Sequence, residues 1–221
     1  MGSIQMRKVL RIVSALSVAL ISSCTSTTLD EFRQGETGIA TDESIVILGR
    51  RQSSNYETRT EFVECVGERV GNQGISVISE QPFIDALFPW FEPRSAPMRP
   101  ADLGRILEEP SVAEKVGNFG VRYIVWIDGQ TEMVDSAGTI SCTVSPGGAG
   151  CFGGGIRDFQ AQYEASVWDV ANLTNVGNIA ADATGTTYIA AVVVPFVLPA
   201  RVEPISCDRL ASQLAGFIMG E

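Results

Sequence analysis

Any chemistry in this chain has to be done without histidine, since its 221 residues contain none. That removes the usual proton shuttle, the usual base for a serine or cysteine nucleophile and the commonest transition-metal ligand. Carboxylates remain. Asp128, Glu132 and Glu164 are the candidates for carboxylate-based hydrolysis or for holding a small ligand, provided that at least two converge in a concave pocket. The stretch SPGGAGCFGGG, residues 145–155, raises a second possibility, a phosphate cradle. A phosphate loop sets its glycines between a strand and a helix N-terminus, with a Lys to reach the phosphates. Here the flanking sequence reads as strand on both sides, with no Lys and no G-K-S or G-K-T. The stretch is therefore expected to be a hairpin tip with Phe152 displayed at its end. None of the five cysteines has C-x-x-C spacing, so no metal site and no cofactor is expected.

The first cysteine has a different chemistry. Arg7, Lys8 and Arg11 precede an apolar run from Ile12 to Ile21, and the run ends in Ile21-Ser22-Ser23-Cys24. This is the layout of a secretory signal peptide, and its end resembles the lipobox of bacterial lipoproteins. The resemblance implies cleavage after residue 23, acylation of Cys24 (palmitate among the chains), and an envelope location facing the periplasm. Thr25 rather than Asp after that cysteine implies the outer membrane. The run is too short for a transmembrane helix, which needs about 20 residues. Without residues 1–23 the chain carries 13 Lys and Arg against 26 Asp and Glu, a formal charge of −13. Such a chain repels phosphate backbones, so nucleic acid is excluded as a partner class.

Four cysteines are left, an even number in an exported chain, and three pairings are possible. Cys142 and Cys151 bracket the tip of the expected hairpin. Cys65 shares an apolar helical face with Phe62, Val66 and Val70, and Cys207 shares one with Leu210, Leu214 and Phe217. The expected bridges are Cys142–Cys151 and Cys65–Cys207.

The elements around these residues follow from pattern. Residues 24–42 are polar and read as a flexible tether, with a single domain over 43–221. SIVILG from Ser44 is a buried strand. Ser54 and Glu57 have capping-box spacing before the helix that carries Cys65, and ISVIS from Ile75 is a second strand. Ser111 and Glu114 repeat the capping-box spacing before a later helix. Residues 89–100, PWFEPRSAPMRP, hold four prolines and form a loop, whose Trp90 and Phe91 either present a contact surface or fold back over the core. VRYIVWIDG from Val121 reads as the central strand. Phe159, Ala161, Tyr163, Ala165 and Val167 alternate with polar residues and give a half-buried strand between two neighbours, about 131–144 and 176–189. AAVVVPFVLPA, residues 190–200, is either a crossover covering the sheet or an exposed apolar patch for a partner or a lipid surface. A helix over about 204–218 closes the chain.

The fold class is α+β: a mixed sheet with N-terminal strand–helix units, a C-terminal antiparallel meander and a closing helix. This order, with VRYIVWIDG, ASVWDV and ADATGTTY, resembles the small periplasmic domain shared by the TolB amino-terminal domain, the curli-secretion lipoproteins and the lipoprotein activators of penicillin-binding proteins. The resemblance implies a non-enzymatic envelope module whose sheet edges and loops bind other proteins. No catalytic residue is carried over. The contact candidates are Trp90, Phe91, Phe152 and residues 190–200, and the expected partner is an envelope protein or the cell wall.

Overall fold

The computed structural model describes residues 25–51, 57–91, 95–97 and 99–221. Cys24, the signal segment, and Ser54 of the first expected capping box lie outside them. The described elements are, in chain order, β1 (Thr25–Arg33), β2 (Ser44–Gly49), α1 (Thr60–Gly71), β3 (Ser76–Ile78), α2 (Glu80–Ala86), α3 (Pro100–Leu107), α4 (Pro110–Asn118), β4 (Val121–Ser145), β5 (Gly148–Asp169), β6 (Thr174–Leu198) and α5 (Val202–Met219). The class is α+β with a mixed sheet, in strand order β1-β6-β5-β4-β2-β3.

Strand β2 pairs in parallel with both β3 and β4. Burial on both faces is the rule for parallel strands carrying helical crossovers, and it explains why SIVILG and VRYIVWI are continuous apolar runs. Val46, Leu48, Ile124 and Trp126 join Phe83, Leu87, Leu103, Leu107, Val112 and Val116 of α2, α3 and α4 in one buried cluster. Ile45, Ile47, Tyr123, Val125 and Ile127, the alternate residues, are equally buried. On β5 next to them, Tyr163 stacks on Phe62 of α1 with centroids 3.5 Å apart. Helix α1 packs on α5, and the Cys65–Cys207 bridge joins them. In the chain-entropy model a loop of this length contributes about 4–5 kcal/mol. Leu210, Leu214, Phe217 and Ile218 of α5 are buried as their spacing predicts.

From β4 onward the sheet is an antiparallel meander. Rising positions on one strand meet falling positions on the next: Thr131 bonds Tyr163 and Cys142 is bridged to Cys151. Likewise Glu164 bonds Asn178 and Asp158 bonds Thr186, and Ser26 bonds Thr184 while Gln34 bonds Val176. Gly129 is required where β4 passes β5. Its φ is +152°, and a Cβ there would lie 2.2 Å from the Gln162 carbonyl oxygen.

Several expectations are corrected. The polar segment read as a tether forms β1 over Thr25–Arg33, an edge strand in which Thr25, Thr27 and Leu29 are half-buried and alternate with exposed neighbours. An edge strand needs only a partly apolar face, so polar composition concealed it. Helix α1 starts at Thr60 behind Arg59, which makes no side-chain cap, and Glu57 lies outside the helix. Helix α4 starts at Pro110 behind Glu109, so Ser111 is inside the first turn and caps nothing. The glycine stretch 145–155 is mostly strand β5, and the turn is only residues 146–147. Residues 190–198 continue β6 rather than crossing over. Beyond Gly185 no described residue of β1 accompanies them, and Pro195 is tolerated in such an edge.

By its contacts the chain divides into two compact units. The larger comprises Ser26–Glu132, Gln160–Thr184 and Val202–Glu221. The smaller contains Thr25, Met133–Phe159 and Gly185–Arg201. The smaller unit holds residues 133–159 and 185–198 of the meander strands and the Cys142–Cys151 bridge.

Within the larger unit the ends of β4 and β5 are clamped by Arg122 and Asp169, whose guanidinium and carboxylate make two hydrogen bonds of 2.5 and 2.8 Å. Burial by itself would raise the Asp169 carboxyl. Hydrogen bonds from the Asn172 backbone N–H, from Arg122 and from the Asn172 side chain, with the Arg122 charge, bring it below the ordinary carboxylate range. A depressed pKa stabilises the folded state above about pH 4, and this contribution is lost as pH falls through the folded-state value. Asp169→Asn should cost about 2 kcal/mol at pH 7, because it removes the two charge-assisted hydrogen bonds of Arg122 and leaves the guanidinium with Glu43 alone, at 3.7 Å. The gap between variant and parent in chemical denaturation should close as the buffer is taken below pH 4, and a gap independent of pH would refute this assignment.

Candidate interaction surfaces

The larger unit carries an open groove of about 750 Å³ between α1, β3 and the start of α2. Its floor is Ile47, Val63, Val77 and Ile78. The helix side is notched because α1 has glycine at 67 and 71, one turn apart. A Cβ on Gly67 would already sit 3.6 Å from the Val77 side chain. Strand β3 is three residues long and borders the sheet, with β2 as its one neighbour among the described strands.

The charges at the rim are unequal. Glu80 accepts the Gly49 N–H at 2.8 Å and also pairs with Arg51, so the one cation among the described residues of the groove is neutralised. Glu64 and Glu68 follow each other on one face of α1, are exposed, and belong to none of the ion pairs of the described residues. The groove thus presents an apolar floor, a free strand edge and two uncompensated carboxylates.

The three carboxylates singled out from the sequence do not meet. Asp128 pairs with Arg50 at 3.0 Å, Glu132 accepts from Gln130, and Glu164 accepts from Asn178 at 2.9 Å. The small cleft beside Glu132, about 110 Å³, is otherwise lined by the amides Gln130, Gln160 and Gln162. Burial pushes the nearby Tyr163 phenol up to about 12, against a lowering by its hydrogen bond to Thr131, so it stays protonated at neutral pH. Among the described residues no three Cys, Asp or Glu side chains gather as a metal site would require.

The aromatic candidates separate. Phe91 is only 7% exposed and packs edge-on against Phe83 at 6.3 Å, so it is a core residue and not a contact. Trp90 is half-buried against the same cluster. Phe152 is 57% exposed, on β5 of the smaller unit. Residues 190–200 are largely exposed there too, including Val192, Val194 and Phe196. A shallow depression of about 280 Å³ in this unit is lined by Ser136–Ile140 and Gly154–Arg157. Sequence reasoning missed the groove. Its one legible signal was Gly67 and Gly71 interleaved with Glu64 and Glu68 on α1.

No family model and no curated protein matches the chain. Among solved structures it is similar to the PelC dodecamer from Paraburkholderia phytofirmans, at 13% identity with a TM-score of 0.40, covering 89% of this chain and 100% of that one. A variant of the same protein gives 12% identity, the same coverage and a TM-score of 0.41. A neuraminyllactose-binding hemagglutinin homologue from Helicobacter pylori matches at 10% identity with a TM-score of 0.40, covering 82% of this chain and 88% of that one.

The two phenylalanines should behave oppositely. Phe91→Ala should lower unfolding free energy by about 3 kcal/mol through the cavity it leaves, whereas Phe152→Ala should change it by less than about 0.5 kcal/mol. Equal effects in urea denaturation would contradict the assignment of one to the core and the other to the surface.

Proposed function

We propose that this chain is a lipid-anchored protein of the bacterial cell envelope that acts as a non-enzymatic protein-binding or scaffolding module. Cys24 carries the acyl chains, the body faces the periplasm, and the outer membrane holds the anchor. The observation that supports binding is the groove beside β3. A strand edge with unpaired backbone groups is a template for one more strand, and the apolar floor gives alternate side chains of an incoming segment somewhere to bury. Glu64 and Glu68 favour a segment that carries Lys or Arg, with an association rate that falls as salt rises. The partner class is therefore an envelope protein that presents an extended basic segment.

A small ligand is the second reading, because a groove of about 750 Å³ lies within the usual range for such sites, about 300–1,000 Å³. The two differ in what sits over β3. A photoreactive residue at position 68, introduced in cells, should yield one dominant crosslink to an envelope protein, and Glu64→Lys combined with a photoreactive residue at 68 should abolish it. Crosslinks that are absent, or indifferent to Glu64→Lys, would overturn the protein-binding reading. The anchor is tested separately: metabolic palmitate labelling should be lost in Cys24→Ser, and labelling of that variant would refute acylation at Cys24.

A further inference from the structure

The two bridges of the chain meet solvent differently. Cys142 is exposed and Cys151 half-buried, on strands β4 and β5. Cys207 is only 1% exposed, and its partner Cys65 is half-buried on α1. Opening a disulfide requires a thiolate to reach one sulfur in line with the S–S bond while the other leaves as an anion. At Cys142 the approach is open, and the anion forms on a half-buried Cys151. At the other bridge the sulfur within reach is that of Cys65, and the anion would form on Cys207, where burial opposes charge.

The surrounding charge widens this difference. Glu61 and Glu68 are surface neighbours of Cys65 at helical spacing and Glu64 precedes it, all three exposed. Arg69, one turn on, is held by Asp208 at 2.8 Å. An approaching thiolate therefore meets a negative field at Cys65. Around Cys142 and Cys151 it meets none, since no Asp, Glu, Lys or Arg occurs from Ser136 to Ile156, or from Thr186 to Ala200 on the neighbouring strand β6. In a chain of net charge −10 this is a stretch without local repulsion.

We propose that Cys142–Cys151 is a thiol-exchange site for a dithiol, and that opening it loosens the hairpin of residues 139–154 while Cys65–Cys207 stays closed. One thiolate of the dithiol bonds to the Cys142 Sγ as the bond to Cys151 breaks, and the Cys151 thiolate takes up a proton. The second thiol of the reagent then attacks the mixed disulfide and releases Cys142, which is protonated in turn. The dithiol loses two electrons and two protons to become a disulfide, and the two cysteines gain both. The hairpin depends on the bridge because its own pairing is weak. Strand β5 brings Gly148, Gly150, Gly153, Gly154 and Gly155 to it, and glycine inside a strand costs backbone entropy and packs nothing. The bridge spans a sequence separation of 9 around the turn at 146–147, so it limits fraying where the strands hold least. Cys65–Cys207 instead joins two helices that already pack on each other. The inference rests neither on the groove nor on acylation of Cys24.

The test uses the chain carrying Cys24→Ser, so that no other thiol takes part, with dithiothreitol as the probe. Samples are trapped with N-ethylmaleimide and read by peptide mass spectrometry. Cys142 and Cys151 should become labelled at least tenfold faster than Cys65 and Cys207. With reduced glutathione, a monothiol, the adduct should sit on Cys142 and the free thiol on Cys151. Once the bridge is open, elastase should cut within 139–154 at least tenfold faster, with cleavage of α1 and α5 unchanged. Cys142→Ser combined with Cys151→Ser should show the same fast cleavage while retaining Cys65–Cys207. Equal labelling rates, or opening of Cys65–Cys207 first, would overturn the site. Glutathione on Cys151 would overturn the direction of attack, and cleavage that opening leaves unchanged would overturn the effect on the hairpin.

Discussion

One strand has to satisfy two opposite environments. From Val121 to Ile127 β4 lies between helices and is buried on both faces, except for the half-buried Arg122 that holds Asp169. From Glu132 to Ser145 the same strand is exposed throughout. Most of the other features answer this constraint. The first stretch is apolar at consecutive positions because parallel pairing with β2 leaves no wet face. The second is rich in Ser, Thr, Gly and Ala because no protein core of its own waits on either side. The two disulfides divide in the same way: Cys65–Cys207 ties α1 to α5 over the buried stretch, and Cys142–Cys151 closes the tip of the exposed one.

A three-stranded sheet without a packed face draws little stability from burial, so the larger unit supplies the folding energy. Its two apolar layers, α2, α3 and α4 on one side and α1 and α5 on the other, sandwich β2 and the start of β4. The groove proposed for interaction forms at the short strand β3, which ends the sheet before the apolar side chains do.

What could be read from the sequence depended on how local the signal was. VRYIVWI, the alternation from Phe159 to Val167 and the stripe on α5 are periodic patterns within a single element, and each appears as expected. Both bridges were legible as well, because Cys142 and Cys151 bracket a turn and Cys65 and Cys207 lie on apolar helical faces. β1 was lost because an edge strand can be polar and still pair. The reach of β5 was underestimated because glycines that signal a turn also serve inside strands where the backbone takes positive φ, as Gly138 and Gly153 do with φ of +114° and +134°. Phe91 and Phe152 look alike in sequence, and only long-range packing separates them. Of the groove, only Gly67 and Gly71 between Glu64 and Glu68 left a mark in the sequence, since its floor comes from β2, α1 and β3 together.

The larger unit folds on its own core, whereas the strands from 136 to 156 and 186 to 200 are largely exposed. Hydrogen exchange of the chain, read by mass spectrometry, tests this difference. Peptides covering 121–128 and 161–169 should be protected, whereas those covering 136–156 and 186–200 should exchange rapidly. Equal protection of both sets would contradict it.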